Sequence, residues 1–349
     1  MRVGVDARHL AGGRGVAHYT SELLTALATR FPDDEWRAFA PGRGPLLGSG
    51  AQTVRHGVPS RLLFGSAALF GRPRIDRLVG REPDAVWIPA PAPVAVSRDV
   101  PYVLTIHDLS WIERPHDFTA YERWWHRLGR LERLAERAAV VVAVSEATKE
   151  AIRREWPNVE DVRVIRSGIP SLPPPGPKPP WLPQQYLLAV GALEPRKGQL
   201  ELKRAFEEAR ARGLQADLVF AGEGRLAREL RGDGVHVVTD ADRATLATLY
   251  ANALALALPS HLEGFGFTAL EAARAGIPVM AGPLRVIDET LGDAALRVED
   301  WTAALLQVAG DAELRARLEQ AGRERAQRFD WTSTADAMHA VLEEAAART

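Results

Sequence analysis

Short runs of consecutive apolar residues recur along the chain, separated by stretches in which apolar positions return every third or fourth residue. The runs at 2–7, 36–40, 85–88, 102–106, 139–144 and 162–165 predict strands in the first half. Those at 186–190, 217–221, 235–240, 253–258 and 277–281 predict strands in the second. Most are apolar at nearly every position and rich in Val, Leu and Ala, the pattern of strands covered on both faces. Between them the helical period marks 17–27, 121–138, 146–155, 199–211, 302–309 and 312–328, and a break at 329–333 precedes a last helix. Strands alternating with helices in this way predict an α/β architecture with parallel sheets.

Residues 170–183 interrupt the pattern. Proline is too dense there for a helix or a central strand, so the stretch reads as a linker between two domains. The length of 349 residues agrees, because one hydrophobic core seldom serves so long a chain. The expected layout is a Rossmann-like doubly wound domain at 1–169, the linker at 170–183, a second such domain at 184–332 and a terminal helix at 333–349.

Composition narrows the chemistry. A net charge of −1 argues against nucleic acid as a partner, and the absence of cysteine excludes disulfide and thiolate chemistry. No basic-then-apolar leader precedes the first strand and no apolar run is long enough to span a bilayer, so a cytoplasmic location is expected. Only Lys149, Lys178, Lys197 and Lys203 are lysines, every other basic side chain of this class being arginine. A lysine kept against that bias suggests a need for a compact point charge, which singles out Lys197.

Four strand-to-helix junctions carry candidate chemistry, since parallel α/β sheets bind ligands at the carboxyl ends of their strands. After the first strand, His9-Leu10-Ala11-Gly12-Gly13-Arg14-Gly15-Val16 is a glycine loop of the kind that holds phosphate on backbone N–H groups. Its spacing matches neither the dinucleotide fingerprint nor the P-loop. The run at 102–106 ends in His107-Asp108, placing His107 at a ligand-bearing position and leaving Asp108 to support the loop. Arg196 and Lys197 follow the strand at 186–190, where a planar fork and a point charge could grip a diphosphate. The fourth junction, Pro259 to Val279, holds Glu263 and Glu271. There Thr268 is the expected N-cap, with Glu271 closing a capping box, and Gly264 and Gly266 let an anionic ligand approach the helix N-terminus.

This last stretch, E-G-F-G-F-x-x-L-E-A-x-x-x-G-x-P-V, closely resembles the two-glutamate motif of retaining glycosyltransferases of family four, which have the GT-B fold. T-I-H-D-L at 105–109 and V-G-A-L-E-P-R-K-G at 190–198 resemble the same family in the same order. Ser167-Gly168 stands where relatives commonly carry Asn-Gly, and Ala192 where some carry arginine. The resemblance implies two Rossmann-like domains with the active site in the cleft between them, and a final helix that crosses back to the first domain. It implies that Gly15, Arg196, Lys197, Phe265 and Gly266 hold the donor diphosphate, and that His107 and Glu263 serve the sugar. Glu271 then serves the ribose, while backbone near Val238 reads the base.

The implied activity is retaining transfer of a hexose, of mannose type, from a nucleotide-diphosphate sugar to a glycan or lipid-linked saccharide, with no metal and no further cofactor. A phosphorylase or nucleotide-sugar epimerase on the same scaffold remains an alternative, as does a non-catalytic two-lobed sugar-binding protein. One further surface stands out. On a continuous helix at 121–138, Trp124, Leu128, Leu131, Ala135 and Ala138 share one stripe, and Arg123, His126, Arg127, Arg130, Arg133 and Arg137 another. Such a basic stripe is suited to peripheral contact with anionic lipid on the inner face of the cell membrane.

Overall fold

The apolar runs at 85–88, 102–106, 186–190 and 217–221 become strands with those bounds, because continuous apolar sequence tolerates burial on both faces of a parallel sheet. The computed structural model describes residues 1–12, 15–41, 50–57, 60–80 and 82–348. In chain order the elements begin with β1 (Arg2–Asp6), α1 (Gly15–Arg30), β2 (Glu35–Pro41), β3 (Gln52–His56), α2 (Ser60–Phe70), α3 (Ile75–Leu78), β4 (Ala85–Ile88) and β5 (Tyr102–Ile106). Next come α4 (Ser110–Glu113), α5 (Ala120–Leu128), α6 (Leu131–Glu136), β6 (Val140–Ala143), α7 (Glu146–Glu155), β7 (Val162–Val164), β8 (Tyr186–Val190) and α8 (Gln199–Ala211). They continue with β9 (Asp217–Ala221), β10 (Val235–Val238), α9 (Arg243–Asn252), β11 (Ala255–Leu258), α10 (Phe267–Ala275), β12 (Val279–Ala281) and α11 (Arg285–Thr290). The last are β13 (Ala295–Arg297), α12 (Trp301–Gly310), α13 (Ala312–Ala326) and α14 (Trp331–Ala346).

The chain divides into two compact units, Met1–Pro170 with Phe329–Thr349, and Ser171–Arg328. The first is built on a seven-stranded sheet of order β3-β2-β1-β4-β5-β6-β7, the second on a six-stranded sheet of order β10-β9-β8-β11-β12-β13. Every pairing in both sheets is parallel, with Val3 opposite Trp36 and Ala85 in the first and Leu187 opposite Leu218 and Ala255 in the second. The strand order of each sheet reverses beside its first strand, so a crevice opens at the carboxyl ends of β1 and β4 in one unit and of β8 and β11 in the other.

Each unit has its own core. In the first, Ile75, Val86, Ile88, Leu104, Ile106, Val141 and Ile152 pack together at no more than 1% exposure, each contributing about 1.5–3 kcal/mol by burial. In the second, Leu187, Leu202, Phe206, Leu218, Phe220 and Met280 do the same. Buried polar groups find partners: the Tyr102 hydroxyl donates to the Leu134 carbonyl at 2.6 Å, and the Trp87 indole to the Thr105 hydroxyl at 3.1 Å. The first unit is completed by α14, which lies against α1. Met338, Leu342 and Ala345 are fully buried there, and the Tyr19 and Trp331 rings meet at 5.9 Å.

The helix expected at 121–138 is broken. Arg130 takes the left-handed conformation, φ 45°, between α5 and α6, and Gly129 precedes it. The apolar period runs on through the break in sequence, but the turn re-aims it: Leu131, Leu134 and Ala135 are buried while Trp124 is 56% exposed. The single basic stripe dissolves accordingly. Arg123 donates to the Pro115 and Phe118 carbonyls at 3.2 and 2.6 Å, and the His126 ring stacks on Trp111 at 4.8 Å. The Thr268 cap is a second correction. Helix α10 starts at Phe267 with Gly266 as its N-cap in the left-handed region, φ 80°, and no side chain caps it. Glu271 therefore lies beyond the capping-box position, and its carboxylate is engaged elsewhere.

Candidate active site

In the second unit the crevice between β8 and β11 is walled by two loops that the fold presses together. Gly198 ends the Pro195–Lys197 turn in the left-handed region, φ 65°, and a Cβ there would meet the Pro259 carbonyl oxygen at 2.1 Å. Only glycine permits that approach. The His261 N–H donates to the Arg196 carbonyl at 3.0 Å and fixes the register of the two loops. Their side chains then converge, with Lys197 Nζ donating to Glu263 Oε1 at 2.6 Å; these side chains are 14% and 13% exposed. The pair lies 66 residues apart in sequence.

Arg196 turns to Glu194, its Nε donating to Oε2 at 3.1 Å. Phe265 is 3% exposed and packs edge-on against Phe267 at 5.2 Å, so any ligand contact from Phe265 comes from its backbone. Gly266 sits at the start of α10, where the first-turn N–H groups have no acceptor within the helix and the dipole favours an anion. At the sheet's other side, the Val238 carbonyl accepts from the Gly222 N–H at 2.9 Å.

Glu271 is 6% exposed and held at both oxygens. Arg243 Nη1 donates to Oε1 at 2.7 Å and the Tyr250 hydroxyl to Oε2 at 3.3 Å. Neither partner was singled out from sequence. Both come from α9, and nothing local ties them to a carboxylate 28 residues beyond Arg243. Burial, and then the Glu271 carboxylate, push the Tyr250 hydroxyl well above the usual range, so it stays a phenol that donates.

In the first unit, His107 follows β5 and is half-buried, its ring edge-on to Tyr19 at 4.7 Å. Nε2 lies 2.9 Å from the Pro89 carbonyl oxygen. A carbonyl only accepts, so Nε2 carries the hydrogen and Nδ1 is left as an acceptor. Burial pushes the imidazole down to about 4, which keeps it neutral at physiological pH. Asp108 supports the loop, Oδ1 accepting from the Ser110 N–H at 2.9 Å. Gly15 opens α1 with open space around its Cα, and residues 13 and 14 of the glycine loop lie outside the described residues. At the end of β1, Asp6 and Arg8 form a buried pair that sequence reasoning missed: Arg8 Nε donates to Oδ1 at 2.6 Å and Nη2 to Oδ2 at 2.5 Å. Burial by itself would raise the Asp6 carboxyl, but the Arg8 charge and hydrogen bonds hold it below the usual carboxylate range.

Two parallel doubly wound units, with a cation and carboxylates gathered at the crevice of the second, define the GT-B class of glycosyltransferase folds. Sequence comparison agrees, matching residues 178–325 to Glycosyl transferases group 1 and residues 13–171 to Glycosyltransferase Family 4. The chain belongs to the group 1 glycosyltransferases of family four. D-inositol 3-phosphate glycosyltransferase of Saccharomonospora viridis is 43% identical over 109 residues, 29% of this chain and 25% of that protein. O-antigen chain mannosyltransferase B of Escherichia coli is 28% identical over 258 residues, 66% of each chain. The matched segment thus spans a quarter of the first relative and about two thirds of the second. In fold, the chain is similar to Anabaena HepE, solved in complex with UDP and glucose. The TM-score is 0.72 and the identity 19%, over 98% of this chain and 99% of that one.

Proposed function

We propose that the protein transfers a hexose, of mannose type, from a nucleotide-diphosphate sugar to a glycan or lipid-linked saccharide, with retention at the anomeric carbon and without a metal ion. The observation that carries this reading is the meeting of Lys197 and Glu263 at the crevice of the second sheet, beside the N-terminus of α10. Lys197, Arg196 and the first-turn N–H groups supply positive charge where a departing diphosphate gathers negative charge. Glu263 accepts from sugar hydroxyls, Glu271 from the ribose, and His107, through Nδ1, from a sugar hydroxyl. Gly15, Phe265 and Gly266 serve the diphosphate through backbone, and Val238 marks the strand beside the base.

In the reaction the bond from the anomeric carbon to the β-phosphate oxygen breaks while the acceptor oxygen bonds the same face. The acceptor's proton passes to the leaving diphosphate. The relatives named above, an inositol-phosphate glycosyltransferase and a mannosyltransferase, support sugar transfer of this kind. Incubation with UDP-, GDP- and dTDP-hexoses in chelator, followed by NMR of the product's anomeric centre, tests it. An α-linked product from an α-linked donor is expected. An inverted product, or turnover abolished by chelator and restored by Mg²⁺, overturns that part of the reading.

No helix among the described residues is long and apolar enough to cross a membrane. The peripheral contact proposed for the first unit now rests on α5, where Tyr121 and Trp124 are 61% and 56% exposed beside the arginines of the same helix. Tyrosine and tryptophan favour the headgroup level of a bilayer. Co-sedimentation with phosphatidylglycerol vesicles is expected to fall several-fold in Tyr121→Ser/Trp124→Ser. An unchanged sedimented fraction refutes this contact.

A further inference from the structure

Arg243 opens α9, whose start is fixed by Asp242: its side chain accepts from the Thr245 N–H at 2.7 Å. From there the guanidinium reaches two acceptors at once, Glu271 Oε1 at 2.7 Å through Nη1 and the Ser171 carbonyl at 2.6 Å through Nη2. A planar fork serves two acceptors in fixed directions, which an ammonium does not. The stretch after Ser171 is itself tied down, the Gly176 N–H donating to the Thr248 hydroxyl at 3.0 Å. Arg243 is thus clamped between a fixed helix start and a fixed strap. Two turns further along α9, fully buried Tyr250 holds the other oxygen of Glu271.

Each carboxylate oxygen has two acceptor positions. With one on each oxygen taken by α9, the carboxylate is fixed in orientation and retains one further acceptor position per oxygen. Two parallel acceptor positions suit a vicinal diol. We infer that Arg243 is a positioning residue that holds Glu271 for simultaneous acceptance from both hydroxyls of a ribose, and so makes the site select ribonucleoside over 2′-deoxyribonucleoside diphosphates. This rests on the nucleotide-sugar reading above and extends it to the nucleoside class.

The test is calorimetry of the native chain, Arg243→Met, Arg243→Lys and Tyr250→Phe with UDP, 2′-deoxy-UDP, GDP and 2′-deoxy-GDP. The native protein is expected to prefer the ribonucleotide of one pair by roughly ten-fold or more, as for a hydrogen bond to a charged acceptor. Arg243→Met is expected to weaken the ribonucleotide by a similar factor and the deoxynucleotide little, bringing the ratio close to one. Arg243→Lys keeps the charge and is expected to restore part of the preference. Tyr250→Phe, which removes one oxygen from a core residue, is expected to reduce the ratio as well. A purely structural role would weaken both nucleotides alike and leave the ratio intact, and that result overturns the inference, as does a native protein that binds both forms equally. If the native protein binds none of the four, the nucleotide-sugar reading itself has failed.

Discussion

Lys197→Ala is expected to weaken binding of both a nucleoside diphosphate and its sugar conjugate by roughly ten- to a hundred-fold, the 1.5–3 kcal/mol of a charge-assisted hydrogen bond. The fold is expected to survive, since Lys197 lies on a short turn outside the core. The sharper result concerns its partner. A diphosphate that takes Lys197 competes with Glu263 for Nζ, which Glu263 holds at 2.6 Å, and weakens the pairing of a carboxylate only 13% exposed. On the function proposed above, the hydroxyls of a donor sugar replace that interaction, whereas a free diphosphate does not. Glu263→Gln is therefore expected to tighten free nucleoside diphosphate several-fold while lowering sugar transfer by about a hundred-fold or more. Roles read from sequence alone would leave free-nucleotide binding indifferent to Glu263. Calorimetry paired with initial rates decides the matter, and loss of free-nucleotide affinity in Glu263→Gln removes the exchange.

A second large effect is expected in the first unit. Arg8→Met strands the Asp6 carboxylate, which has no solvent exposure, and removing one partner of a buried pair costs about 3–5 kcal/mol. The first unit is expected to melt at least several degrees lower, at about 2–4 °C per kcal/mol for a body of this size. The Arg8 guanidinium also lies over the Phe64 ring at 4.0 Å, so methionine retains part of the packing. Asp6→Leu/Arg8→Met is expected to recover most of the loss by removing the orphaned charge along with its partner. A double variant as unstable as the single one would locate the cost in packing instead.

How much of this was legible in the sequence depended on whether one residue type could satisfy only one environment. Val140 to Ala143 or Tyr186 to Val190 suit a strand buried on both faces, and their bounds follow to within one residue. Strand β3, Gln-Thr-Val-Arg-His, is an edge strand whose polar positions look like loop, and it was missed. Helix α9 has no clean apolar stripe because Tyr250, Ala247 and Thr248 are buried on different sides, so it too went unseen. The loss of α9 mattered for the site, since Arg243 and Tyr250 are what orient Glu271. Glu263 and Lys197 were legible as candidates from the glycine-punctuated junctions around them. Their contact was not, because it depends on β8 and β11 being neighbours, which no local pattern encodes. The helix at 121–138 failed for the opposite reason: periodicity carried on through Gly129 and Arg130 although the backbone turns there.

The division of the chain into units has a consequence for how the protein is made. The second unit is one continuous segment, but the first is closed by residues from beyond it, with α14 laid along α1 and the buried His339 Nε2 meeting Asp34 at 2.7 Å. On a ribosome moving at about 5–20 residues per second, the first sheet waits through synthesis of the whole second unit, on the order of ten to thirty seconds, before its last helix emerges. During that interval the face of α1 against which α14 packs is uncovered. The order of emergence therefore favours early closure of the second unit, and makes the nascent first unit the stage at which a chaperone has something to hold.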